Sequence, residues 1–173
     1  MISDLSITKA TEADIPELVA LVNSAYRGDS SRQGWTTEAH LLDGQRTDAD
    51  DIRDLLTTPG ATFLLARTSA GTLLGSVYLK NQAPDLYLGM LSVSPEHQAR
   101  GLGKQFIAAA EAQARQLDCS GLLISVISVR QELLAWYERH GFQRTGETVQ
   151  FPTDTRFGIP KQELELLLLR KIF

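Results

Sequence analysis

Between Leu86 and Ile107 the sequence reads LYLGMLSVSPEHQARGLGKQFI. No other segment limits the fold as strongly. Asp85 to Val93 is dominated by apolar and β-forming residues and reads as a strand. Ser94-Pro95 makes a turn. Gln98-Ala99-Arg100 leads into Gly101-Leu102-Gly103-Lys104, which opens a helix to Leu117 with Leu102, Phe106, Ala110, Ala114 and Leu117 on one stripe. Such a strand aims its carboxyl end at a helix start. Glycines there let backbone N–H groups close around an anion without an intervening Cβ. The helix start adds partial positive charge, and Arg100 and Lys104 add full charges. The segment is a candidate diphosphate cradle, with an ordinary strand-to-helix turn as the plainer alternative. Two other phosphate loops fail on spacing. Gln98 and Gln105 stand where a P-loop needs glycine and Ser or Thr. Phe106 stands where a dinucleotide fingerprint needs its third glycine.

The flanking sequence supplies mixed α and β structure. Ser6 to Ala10 reads as a strand. Thr11 caps a helix, with Asp14 three residues on approximating a capping box, and the helix runs to about Tyr26 with Pro16 in its first turns. Arg27 to Trp35 is a loop. A short helix is expected from Thr37 to Leu42, and Thr47 is expected to cap another from Asp48 to Leu56. Pro59-Gly60 is a turn. Thr62 to Arg67 and Leu73 to Lys80 flank Ser69-Ala70-Gly71 as a hairpin. After the central helix, Leu122 to Val126 is a short buried strand, and Arg130 to His140 is a helix ended by Gly141. Phe142 to Gln150 and Gln162 to Lys171 read as a closing hairpin around a Pro- and Gly-containing excursion.

Composition narrows the classes. The 173 residues suit one domain spanning 1–173, long enough for a real core. Lys plus Arg is 17 against 21 Asp plus Glu, a net charge of −4, so there is no basic excess for nonspecific nucleic-acid binding. Cys119 is the single cysteine, which excludes an internal disulfide and fits a reducing, cytoplasmic setting. It reads as a semi-buried bystander. The polar, acid-containing N-terminus does not read as a signal peptide. No apolar run approaches the roughly 20 residues of a membrane span. Leu164 to Leu169 is therefore expected to be a core strand. His40, His97 and His140 are too scattered for a metal site.

Two motifs together resemble a known superfamily. Gln98-x-x-Gly101-x-Gly103, after a strand ending in Val93-x-Pro95, is similar to the acyl-CoA loop of the GNAT N-acetyltransferases. Tyr137-Glu138-Arg139-His140-Gly141-Phe142 is similar to that family's tyrosine helix, Gly-Phe and strand. The element order from Ser6 to Lys171 matches as well. The resemblance implies a single-domain α/β (α+β) GNAT fold, a mixed, mostly antiparallel sheet of about seven strands flanked by helices. It further implies a V-shaped split between the Asp85–Val93 and Leu122–Val126 strands, with acetyl-CoA lying in it.

On this resemblance Leu91, Ser92 and Val93 bind the pantetheine and polarise the thioester carbonyl, and Gln98, Ala99, Arg100, Gly101, Leu102, Gly103 and Lys104 hold the diphosphate. Arg130 departs from the pattern, because the family often has asparagine there. A guanidinium at that place could hold pantetheine or phosphate. Tyr137 occupies the position of the acid that protonates the leaving thiolate, its alternative being a half-buried helix aromatic. The amine must lose a proton to a base or water chain. Asp85, Tyr87 and Glu38 are candidates for that base, each with a structural alternative. Glu96 and His97 are expected to be solvated. Gly89, among bulky neighbours, could mark a close approach of the cofactor.

The acceptor pocket is expected between the early loop and the late excursion, from Tyr26, Arg32, Trp35, Tyr87 and Arg156. Arginines suggest an acceptor bearing a carboxylate or phosphate. The run Asp43, Asp48, Asp50, Asp51 and Asp54 could instead attract a polyamine, or be a solvated helix face. The resemblance thus implies an acetyl-CoA-dependent transferase acting on a small or amino-acid-like primary amine, without metal, nucleic acid or membrane, and allows a homodimer. A non-catalytic acyl-CoA-binding module, a larger acyl donor, and acetylation of a protein N-terminus or lysine stay open.

Overall fold

A computed structural model describes residues 5–26, 42–43, 45–98, 101–151, 159–161 and 163–173. The chain runs β1 (Ser6–Lys9), α1 (Ile15–Tyr26), β2 (Leu42–Asp43), α2 (Ala49–Thr57), β3 (Ala61–Arg67), β4 (Leu73–Gln82), β5 (Asp85–Val93) and α3 (Leu102–Gln116). It continues through β6 (Gly121–Ile127), α4 (Gln131–Arg139), β7 (Gln143–Gln150), β8 (Ile159–Pro160) and β9 (Glu165–Ile172). Most boundaries fall within two residues of the sequence expectation. The expected helix from Thr37 to Leu42 lies outside the described residues except for Leu42, which opens β2 instead.

Local chemistry explains the helix starts. Ahead of α1, the Thr11 N–H donates to Asp14 Oδ2 at 2.8 Å and the Asp14 N–H to Thr11 O at 3.0 Å. Asp48, not Thr47, caps α2, its Oδ1 accepting the Asp51 N–H at 2.8 Å. Thr47 is buried and donates its hydroxyl to Asp51 Oδ2. A carboxylate one residue later reaches the third helical N–H, and the threonine is left to pin the same turn from inside.

Seven strands form a sheet in the order β1-β3-β4-β5-β6-β9-β7, and β2 pairs separately with β8. Every neighbouring pair in the larger sheet is antiparallel except β5–β6. Period-2 alternation gives the sheet two apolar faces. Leu64, Ala66, Val77 and Leu79 pack with Leu102, Phe106 and Ala110 of α3. Phe63, Leu65 and Tyr78 pack with Ile15, Leu18 and Val22 of α1 and Ile52 of α2. Each fully buried Val, Leu, Ile or Phe among them contributes about 1.5–3 kcal/mol. Leu117 departs from the expected stripe. It lies past the last turn of α3 and is 43% exposed, while Ile107 is buried in the core. Leu169 is fully buried in β9, as a core strand requires.

Two irregularities in β5 shape the interior. Along β4, Ser76 pairs with Ser92 but Tyr78 pairs with Gly89, so β5 carries an extra residue. Met90 absorbs it with φ 45°. This bulge reverses the side-chain alternation. Leu86 and Leu88 face α3, Met90 faces α1, and Leu91 and Val93 return to the α3 side. The second irregularity is that β5 pairs with β6 only through Asp85↔Gly121, Leu86↔Leu122 and Tyr87↔Leu123. Beyond Tyr87 the two strands part, giving the expected V-shaped split.

Candidate functional site

The split opens into two adjoining cavities of about 330 Å³ and 370 Å³. The first runs from the N-terminus of α3, past Leu91 and Val93, to α4. The second lies between β5 and β6 and reaches Arg46, Phe151 and Leu166. Tyr26, Leu91, Arg130, Leu133 and Tyr137 line both, so the two spaces meet there.

The mouth of the first cavity is a helix start without the usual complement. Gly101 caps α3 in the left-handed region, φ 83°, where other residues are strained. No side chain caps the helix and no acid stands in its first turn. Lys104 lines the cavity instead, although the helix dipole disfavours a cation at this end. The first intrahelical bond is from the Gln105 N–H to Gly101 O, at 3.1 Å. The preceding N–H groups of Leu102, Gly103 and Lys104 have no intrahelical partner. Local positive charge of this kind suits an anion. Gln98 donates through Nε2 to Val93 O at 3.1 Å, which ties the loop to the strand end.

Gly103 has a different purpose from Gly101. A Cβ there would lie 3.1 Å from Trp136 Cζ2, so the missing side chain admits the indole of α4. Trp136 stacks on His140 with centroids 4.2 Å apart, and His140 Nδ1 lies 2.7 Å from Trp136 O. Leu133, Trp136 and His140 line the first cavity and were not singled out from sequence. The signal was available: they share the face of α4 that carries Tyr137 at helical spacing. His97 also lines this cavity, its Nδ1 buried without a hydrogen-bond partner among the described residues. That corrects the expectation of a solvated histidine, while Glu96 is exposed.

Tyr137 sits where the cavities join. It is buried, with its ring edge-on to Trp136 and Phe142 at 5.0 Å and 5.4 Å. Burial pushes its phenol far above the usual tyrosine range. Nearby Tyr26 adds to this and Arg130 partly opposes it. The group therefore keeps its proton at any pH near neutrality.

The remaining expected residues divide clearly. Leu91, Val93, Gln98, Gly101, Leu102, Gly103, Lys104, Arg130 and Tyr26 line the first cavity. Ser92 lines neither. It is buried, and its hydroxyl donates to Met90 O at 3.0 Å. Tyr87 lines the second cavity, its hydroxyl 3.2 Å from Ser125 Oγ across the split. Its ring lies over Gly89, where a Cβ would come within 2.8 Å, so that glycine makes room for a ring of its own strand. Ala99, Arg100, Arg32, Trp35, Glu38 and Arg156 lie outside the described residues.

Asp85 lines neither cavity. It is buried at the closed end of the split and accepts from Arg170 Nη2 at 2.6 Å and Nε at 2.9 Å. This bidentate pair is structural. Among the described residues no aspartate or glutamate lines either cavity.

A sequence model of the acetyltransferase (GNAT) family matches residues 21–142. N-acetyltransferase family 8 member 3 of Mus musculus is 33% identical over 121 residues, 66% of this chain and 53% of the relative. A mycothiol acetyltransferase of Propionibacterium freudenreichii is 27% identical, over 75% of this chain and 40% of the relative. The chain thus spans about half the length, or less, of these relatives. Spermidine N-acetyltransferase from Vibrio cholerae, solved with CoA and spermine, superposes with TM-score 0.71 at 16% identity, over 99% of this chain and 96% of that one. Ribosomal-protein-alanine N-acetyltransferase from Brucella melitensis gives 0.69 at 21% identity, over 97% and 99%. At such identities these two likenesses speak for the fold.

Proposed function

Because the chain belongs to the acetyltransferase (GNAT) family, we propose that it moves an acetyl group from acetyl-CoA to the amine of a small molecule. The observation that carries this reading is the meeting of two cavities at Leu91 and Tyr137, one with a cationic helix start at its mouth. When bound, acetyl-CoA supplies an activated acetyl thioester, which an amine converts to an amide and a free thiol.

The first cavity fits that donor. The N–H groups of Leu102, Gly103 and Lys104 and the Lys104 ammonium hold the diphosphate. Leu91, Val93, Leu133 and Trp136 give an apolar passage for the pantetheine arm. The bulge at Met90 places Leu91 and Val93 on the side of β5 that lines this passage. The Leu91 carbonyl already accepts the Tyr26 hydroxyl at 2.8 Å, which fixes the strand edge beside the reacting carbon. Tyr137 donates its proton toward the leaving sulfur. Thiol release from acetyl-CoA, followed with a panel of amines and an N-terminal peptide, tests the reading. Binding of acetyl-CoA with no release across the panel would leave only a binding module.

That no carboxylate among the described residues lines the cavities to collect the amine's proton has a kinetic consequence. The acceptor then reacts as the small neutral fraction of its own ammonium, roughly one in a thousand at pH 7 for an alkylamine. Log kcat/KM is expected to rise about one unit per pH unit up to the ammonium pKa of the acceptor. Two acceptors of different basicity should show inflections that differ accordingly. A common inflection for both would reveal a titrating base on the protein.

A further inference from the structure

We infer that the second cavity recognises an apolar amino acid, whose carboxylate pairs with Arg46 and whose side chain lies against Met90, Phe151 and Leu166. The inference rests on the acetyltransferase reading and adds the chemical class of its acceptor.

Arg46 lines the second cavity and is held there from two directions. Its backbone N–H donates to Asn23 Oδ1 at 2.7 Å, and the next N–H, of Thr47, donates to the same oxygen at 3.1 Å. Asn23 Nδ2 returns a bond to Thr47 O at 3.0 Å. One amide side chain of α1 therefore fixes the backbone from which Arg46 projects. The guanidinium then lies over the Tyr26 ring, 5.5 Å from its centroid. Tyr26 is itself tied to Leu91 O, so the cation is anchored to the strand edge where the cavities meet.

The charge around this cation selects its partner. Among the described residues no carboxylate lines the cavity to pair with Arg46, and most of the other lining residues are apolar. Three acids at the start of α2 are engaged elsewhere. Asp48 Oδ1 accepts the Asp51 N–H, Asp51 Oδ2 accepts the Thr47 hydroxyl, and Asp50 pairs with Arg53. A polyamine entering here would meet the guanidinium of Arg46, with that of Arg130 in the same lining, and no anion among the described residues. A carboxylate would meet a two-pronged donor of matching geometry. The rest of the lining is largely apolar, which favours an aliphatic or aromatic side chain over a charged one.

The full chain, with acetyl-CoA as donor, should be assayed for thiol release with leucine, methionine and phenylalanine. Each is compared with its amide and its decarboxylated amine, with spermidine alongside. At least a tenfold higher kcat/KM for the acids is expected. The amides carry less basic amines, so their larger neutral fraction works against this outcome and makes it more telling. Arg46→Gln is expected to collapse the acid-to-amine ratio toward one, chiefly by raising KM for the acids ten- to a hundredfold. Arg46→Lys keeps the charge without the fork and should recover part of the ratio. Equal or faster turnover of the amines or spermidine would overturn the carboxylate assignment and leave the transferase reading intact. So would an unchanged ratio in Arg46→Gln. Acetyl-CoA binding with no transfer to any amine would overturn both.

Discussion

Replacing Tyr137 by phenylalanine is expected to lower kcat about a hundredfold or more, with little change in acetyl-CoA affinity. The ring is held by its edge-on contacts with Trp136 and Phe142, which phenylalanine preserves, so the walls of both cavities should persist. What disappears is one hydroxyl at the junction. Its raised pKa defines how it can act. A thiolate with a pKa of about 8.5, by analogy with cysteine, is a weaker base than any tyrosinate. Complete proton transfer before the bond breaks would therefore be uphill. A hydrogen bond that strengthens as charge builds on sulfur is not, and it favours the transition state over the ground state. Two readouts separate this role from a packing role. kcat and kcat/KM should fall together, because the lost interaction belongs to the transition state. The pH profile should show no limb attributable to Tyr137 near neutrality, since burial keeps it protonated there. A variant with wild-type kcat on a good acceptor would remove the acid role.

The second large effect concerns stability. Asp85→Ala is expected to cost about 2–3 kcal/mol and to lower Tm by about 5–10 °C. Its carboxylate is buried and takes both arms of Arg170, reaching from β5 across β6 to β9. Removing it strands a guanidinium. Breaking a fully buried pair typically costs about 3–5 kcal/mol. The lower figure applies because the Arg170 side chain is 32% exposed and can partly rehydrate. The pair clasps the split at its closed end, next to Asp85↔Gly121. kcat per folded molecule should therefore stay near wild type at temperatures well below the new Tm. A large loss of kcat in fully folded Asp85→Ala would return Asp85 to the list of candidate bases.

These two residues also show where sequence reading succeeds and stops. The place of Tyr137 on the helix beside the split was legible because its motif is local: a helix, a terminating glycine and a phenylalanine within six positions. Gly101 was legible as a glycine of the turn before the helix, whereas its left-handed cap emerges only from the structure. Asp85 was ambiguous, since nothing nearby announces a partner 85 residues away. The bulge at Met90 was invisible for a related reason. Leu86, Leu88 and Met90 alternate as if on one face, and only the β4 partner strand reveals the extra residue. Arg46 was missed because its placement depends on Asn23, a helix residue 23 positions earlier. The acids beside it suggested the opposite charge. Periodicity reports what an element buries. It does not report which distant side chain fixes a loop.

The strand order also dictates when this fold can be completed. β9 lies between β6 and β7, and among the described strands of its sheet it is the only partner of β7. β7 itself is exposed along its whole length, so it gains little from packing and depends on that ladder. During synthesis from the N-terminus, β6 and β7 emerge with a gap between them that only Glu165–Ile172 can fill. Until those residues arrive, β6 shows an unpaired edge of apolar sequence, Gly121–Ile127, a state open to wrong strand partners. The nascent chain therefore exposes this apolar edge until Glu165–Ile172 has emerged, and covering the edge in that interval would limit wrong strand pairing.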